Sequence, residues 1–209
     1  VTDLSLLLAF VAAAFILTIT PGIDTALVLR SSATGGQRSA VAASLGVTLG
    51  CLFWGAAAAI GLGALLRASE LAYGIVCWVG ALYLVWLGVR LIIRPRTTFE
   101  AGHGGTGERG TREAFLRGLL TNLLNPKVGV FYVTFLPQFV PASVNIAGYT
   151  FFLACLHVLI TLVWFGILIA AMVPMARFLR KPKIVTALDR LTGCVFIAFG
   201  VKLAFASSK

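Results

Sequence analysis

The 209 residues are 59% hydrophobic and only 11% charged, with a mean hydropathy of +0.99, whereas an ordinary soluble domain carries roughly 25% charged residues. This excludes a water-solvated globular domain and places the chain in a bilayer. The formal net charge of +10 does not signal nucleic acid, because the basic residues lie in short stretches between apolar runs rather than as a patch on a polar domain.

In chain order, residues 4–23, 39–66 and 71–89 each run at least ~18 residues without a charge, the length that crosses a hydrocarbon core of about 30 Å. No Lys or Arg precedes the first run, which is longer than a signal-peptide core, so a retained helix is expected. From Lys127 to Arg177 there is no charge, and Pro137, Pro141 and Ser143 mark a turn between the end of a fourth span and the whole of a fifth. A sixth apolar segment covers residues 184–206, with Asp189 and Arg190 near its start. The expected fold class is an all-α integral membrane protein of six transmembrane helices.

Basic residues orient it. Arg30 and Arg38 follow span one, Arg90, Arg94, Arg96, Arg109, Arg112 and Arg117 follow span three, and Arg177, Arg180, Lys181 and Lys183 follow span five. The opposite side carries only Arg67, Lys202 and Lys209. Such a bias places the basic loops in the cytoplasm and both termini outside.

Residues 94–113 are rich in Gly, Thr and charge and lack apolar periodicity, as expected of a flexible linker. They divide a single transporter domain, 1–209, into a first half of about 1–93 and a second of about 114–209. Three spans is an odd number, so the second half enters the membrane from the opposite side, and two inverted three-helix repeats are expected. Pro21 lies nine residues before Arg30 and Pro126 nine residues after Arg117. Nine helical residues rise about 14 Å, half the core, so helices 1 and 4 should break at Pro21 and Pro126 near the midplane. Paired interruptions of this kind point to a binding site, because broken helix ends offer unpaired N–H and C=O groups.

The candidate substrate-binding or coupling residues are those at the two breaks: Pro21, Gly22, Asp24, Asn122, Asn125, Pro126 and Lys127. A charge near the bilayer centre costs at least ~2.5–3.5 kcal/mol and ordinarily faces a cavity or a partner. Asp24 fits capture of a substrate ammonium or exchange of a coupling proton, and equally fits capping of a restarted helix. Lys127 fits a substrate carboxylate, a gating pair with Asp24, or a side chain snorkelling to the interface. Asn122 and Asn125 add amide hydrogen bonds on the approach to Pro126. Asp189 and Arg190 read as an interfacial pair and His157 as a structural histidine. Gly46 and Gly50 form a G-x-x-x-G, with Gly61, Gly63, Gly80 and Gly88 as further small positions for close helix packing; such faces permit a homodimer without demanding one.

Cys51, Cys77, Cys155 and Cys194 fall one per span with no C-x-x-C pair, so they read as packing residues, and neither a zinc site nor a disulfide framework is signalled. No nucleophile elbow, phosphate-binding loop or H-E-x-x-H is present. No catalytic residue, metal or cofactor is expected, and the chain does not read as an enzyme.

Thr20-Pro21-Gly22-Ile23-Asp24, Gly80-Ala81-Leu82-Tyr83-Leu84 with Leu87-Gly88, Gly118-Leu119-Leu120-Thr121-Asn122-Leu123-Leu124-Asn125-Pro126-Lys127 and Phe135-Leu136-Pro137-Gln138-Phe139 together resemble the LysE/RhtB family of amino-acid exporters. The resemblance covers essentially the whole chain. It implies export of amino acids or close derivatives across the inner (plasma) membrane, driven by the membrane potential or proton gradient without ATP, with a small-molecule amino-acid substrate, protons and the lipid bilayer as partners. The family's first motif often reads P-G-P-N where this chain has Pro21-Gly22-Ile23-Asp24, an acidic side chain after a less rigid break. Three other readings stand beside it. A heavy-metal cation exporter of the same superfamily would favour thiolate or imidazole ligands, and the cysteines are scattered. A membrane thiol-redox protein would need a cysteine beside each intramembrane proline, and Pro21 and Pro126 have none; an assembly protein is the third alternative.

Overall fold

The computed structural model describes residues 3–68, 70–95, 110–141, 143–171 and 181–207, and among these every regular element is helical. The helices are α1 (Asp3–Ile19), α2 (Ile23–Ala68), α3 (Glu70–Ile93), α4 (Thr111–Leu123), α5 (Pro126–Val130), α6 (Ile146–Ala170) and α7 (Pro182–Ser207). A π turn, Phe131–Phe135, and a 3₁₀ turn, Leu136–Phe139, extend α5. A helix satisfies its own backbone, which is what a medium without water demands.

Among the described residues, three helical stretches are long and apolar enough to cross a membrane: Ile23–Gly61, Ile146–Ala170 and Pro182–Val201. A fourth forms if Thr111–Leu123 and Pro126–Phe139, bent by 53°, act as one span, and Leu4–Ile19 and Trp78–Ile93 are shorter apolar helices. Large apolar side chains face outward on most of them, including Leu8 and Phe15 on α1, Leu82 and Trp86 on α3 and Leu159 and Val163 on α6. An apolar exterior of this extent suits lipid rather than water.

Both proline-containing spans break where expected: α1 stops at Ile19 and α2 begins at Ile23, and α4 stops at Leu123 with α5 beginning at Pro126. Two details differ. The loop expected around Arg30 and Arg38 is helical, because α2 continues through it and bends at Gly36, with φ 73° and ψ −172°. That backbone region is essentially reserved for glycine, so a single residue turns the chain without interrupting the helix on either side. The linker is also shorter than expected on one side, since α4 already begins at Thr111 and is held there by Arg117 pairing with Glu113 one turn earlier. Arg96, Arg109, Arg177, Arg180 and Lys209 lie outside the described residues, as do the side chains of Arg67, Cys77 and Lys202.

α2 packs along α4 and α6, α3 along α7, and α1 against α6. Glycines set the closest approaches. A methyl group on Gly46 would meet the Phe115 carbonyl, and one on Gly118 the Ala43 carbonyl, so α2 and α4 touch backbone to backbone. Gly88 and Gly193 do the same between α3 and α7. On the other side of the second break an aromatic cluster of Phe10, Phe131, Phe135, Phe139 and Phe196, all at most 2% exposed, fills the core, with the Phe199 ring tilted against Phe135 at a centroid distance of 4.4 Å.

Candidate functional site

The two breaks lie against each other. Asp24 is the second residue of α2, in its first turn, where the helix dipole favours a negative charge. Its carboxylate does not cap its own helix. Oδ2 accepts from Asn122 Nδ2 at 2.9 Å and from Asn125 Nδ2 at 3.1 Å, both from the other break. The second carboxylate oxygen, Oδ1, is buried without a hydrogen-bond partner.

The second break is held by its own side chains. α4 closes with Leu124 N–H on Leu120 O and Asn125 N–H on Asn122 O. Asn125 then caps α5, its Oδ1 accepting from the Lys127 N–H at 3.1 Å, while Pro126 occupies the first helical position, where a missing N–H costs nothing. Asn125 thus spends its oxygen on the new helix and its nitrogen on Asp24. Asn122 is fully buried and donates also towards Cys51 Sγ at 3.4 Å; Trp54 Nε1 reaches its carbonyl at 3.4 Å.

Lys127 crosses to the first break. Its Nζ donates to Leu17 O at 3.2 Å and Thr20 O at 3.3 Å. These carbonyls belong to the last turn of α1 and the residue beyond it, whose acceptors lose their helical partners when Pro21 ends the run. The last intrahelical bond there is Thr20 N–H on Ile16 O at 3.1 Å. A cation at a helix C-terminus also complements the dipole. The side chain thereby ties the two breaks together through α1's carbonyls.

A cavity of about 50 Å³ lies between the breaks, lined among others by Thr18, Thr20, Gly22, Asp24, Asn125 and Lys127. It has room for a few water molecules. Of the seven residues expected at the site, Gly22, Asp24, Asn125 and Lys127 line the cavity; Asn122 stands behind Asp24, and Pro21 and Pro126 shape the two breaks.

Three further residues stand around the site. His157 lines the cavity and is fixed by Tyr132, Oη to Nδ1 at 2.8 Å, with both side chains buried. Thr161 lies one turn further along α6, and its hydroxyl bonds the His157 carbonyl at 2.9 Å. Thr192 of α7 shares a hydrogen bond with Thr20, hydroxyl to hydroxyl, across 2.5 Å. The spacing of His157 and Thr161, four apart and so on one face of a mostly apolar helix, was the available signal. Nothing in the sequence pairs Thr192 with Thr20. Asp189 is fully buried and Arg190 is exposed. Among the described residues no three of His, Cys, Asp and Glu come together as metal ligands.

Residues 15–207 match the family model for the LysE type translocator. The chain belongs to that family. It is 32% identical over 99% of its length to an uncharacterized membrane protein of Vibrio cholerae, all of which is covered. It is 31% identical to a leucine efflux protein of an Enterobacter species, over 93% of each chain. A Bacillus subtilis membrane protein, YrhP, is 28% identical over 94% of this chain and 97% of its own. No solved structure matches. The family is one of membrane translocators, not of enzymes, and the outward apolar faces are those of a membrane protein.

Proposed function

We propose that the protein is a secondary exporter of amino acids or close derivatives, carrying them out of the cytoplasm across the plasma membrane under the proton gradient. The observation that carries this reading is the cage at the breaks: a carboxylate held by two amides from the opposite break, beside a lysine, on the wall of a small cavity inside an apolar bundle. An amino acid presents an ammonium and a carboxylate a few ångströms apart, and a buried site with one acidic and one basic side chain answers both. Membership of a translocator family and two leucine efflux proteins among the relatives support the same substrate class. In this reading Pro21, Gly22, Asp24, Asn122, Asn125, Pro126 and Lys127 form the binding and coupling site, and His157 joins its wall.

The architecture that goes with it is six spans in two inverted three-helix repeats, a single domain with halves of about 1–93 and 114–209. Three long apolar helices, one bent pair and two shorter helices supply six segments, and each half begins with a helix interrupted at a proline. The basic loops then lie in the cytoplasm and both termini outside. A reporter fused to the C-terminus, active only in the periplasm or outside the cell, is expected to be active; one active only in the cytoplasm would remove either the orientation or the count of six.

The direct test is efflux from proteoliposomes loaded with a panel of radiolabelled amino acids, with and without an imposed proton gradient, and with divalent heavy-metal ions as a further arm. Selective amino-acid efflux that rises with the gradient is expected. Efflux of metal alone, or of nothing from correctly folded protein, would overturn the reading.

A further inference from the structure

We infer that Lys127 exchanges partners during transport: in the empty protein its ammonium stands in for the substrate's, and on loading it moves to the substrate's carboxylate. This rests on the export reading above and assigns within that site what each charged end of the substrate meets.

The argument begins with the acceptors. Pro21 ends α1 and frees the carbonyls of its last turn, and Leu17 O and Thr20 O both point at one ammonium, that of Lys127, at 3.2 and 3.3 Å. Asp24 Oδ1, on the wall of the same cavity, is buried and unpartnered. The first break therefore gathers more acceptor capacity than the protein's own donors fill. Two main-chain carbonyls and a carboxylate oxygen are the chemistry that holds a primary ammonium, with three N–H groups to place. Asp24 Oδ2 is already committed to two amides, so the carboxylate is held in position while its other oxygen stays available.

Charge balance completes the argument. Asp24 and Lys127 give the empty cavity one charge of each sign. A zwitterion adds one of each, so the balance survives loading only if Lys127 pairs with the incoming carboxylate as the incoming ammonium takes Leu17 O, Thr20 O and Asp24 Oδ1. Uncompensated charge near the bilayer centre is costly, and both forms avoid it. Lys127 is suited to the exchange, because its backbone N–H is fixed on Asn125 while its side chain is long, flexible and only half-buried. The site is thereby selective for zwitterionic α-amino acids over amines or carboxylic acids of the same shape.

Equilibrium binding to purified protein tests this with three probes: leucine, leucinamide, which lacks the carboxylate, and 4-methylpentanoate, which lacks the ammonium. Native protein is expected to bind leucine at least about tenfold more tightly than either analogue, on the scale of one charge-assisted hydrogen bond. Lys127→Met is expected to lose leucine by at least that factor while retaining leucinamide, whose cation replaces the missing one; this retention also reports that the variant is folded. In native protein the rate at which a small acylating reagent modifies Lys127, read by peptide mass spectrometry, should change with saturating leucine and not with leucinamide. Equal loss of leucine and leucinamide in Lys127→Met, or a Lys127 acylation rate indifferent to leucine, would leave the lysine as a plain helix cap and overturn the assignment. Native protein that exports no amino acid would instead overturn the export reading itself.

Discussion

Asp24→Asn is expected to lower amino-acid efflux by about 100-fold while leaving the protein folded. The substitution keeps the size of the side chain and removes its charge. Two amide donors, Asn122 Nδ2 and Asn125 Nδ2, then face a neutral amide oxygen in place of a carboxylate. Hydrogen bonds to a charged group contribute about 1.5–3 kcal/mol each, and the difference from neutral bonds over two of them amounts to roughly 2–3 kcal/mol, near two orders of magnitude in rate. The loss falls on function because the same residue supplies the free acceptor oxygen that faces the cavity. The measurement is initial efflux from proteoliposomes matched for protein content, with a thermal unfolding curve in detergent as the folding control. Native-like efflux from Asp24→Asn would remove the carboxylate from the mechanism and leave it a purely structural tie between the breaks.

Much of this site was legible in the sequence because its elements are local. A proline inside an apolar run breaks a helix wherever it stands, and an ionisable residue one to three positions away has little choice but to serve the break. Hence Asp24, Asn125 and Lys127 follow from the chain itself. What the sequence does not encode locally is the partner. Lys127 has an acidic candidate in Asp24, yet its Nζ sits on carbonyls of α1, because freed main-chain acceptors exist at every break and carry no letter in the sequence. His157 read as isolated for the same reason: Tyr132, which fixes it, is 25 residues away on a π turn whose extra residue per turn shifts the register of the side chains that follow. The continuation of α2 through Arg30 and Arg38 was hidden by charge, which marks an aqueous position but not a coil; only Gly36 distinguishes a bent helix from a loop there.

Gly50→Ala is expected to cut efflux by about tenfold or more although the residue is not among those lining the cavity. A Cβ at Gly50 would lie 2.5 Å from Asn122 Oδ1 and 2.9 Å from its Cβ, closer than real contacts allow. Asn122, whose backbone is in the last turn of α4, can make room only by rotating its side chain, which takes Nδ2 off Asp24 and away from Cys51. α4 cannot yield by moving off, because four residues earlier Gly46 already sets backbone contact with Phe115 and Leu119. The side chain that gives way is therefore Asn122, and with it one of the two donors to Asp24, a loss of about 1.5–3 kcal/mol. The control is Gly61→Ala on the same helix, where nothing lies within 4 Å and no change is expected. Equal efflux in both variants would mean that α2 and α4 can part by a few tenths of an ångström without disturbing the cage. A loss confined to Gly50→Ala, with an unfolding temperature shifted far less than the rate, would show that the G-x-x-x-G face reaches function through one amide rather than through stability.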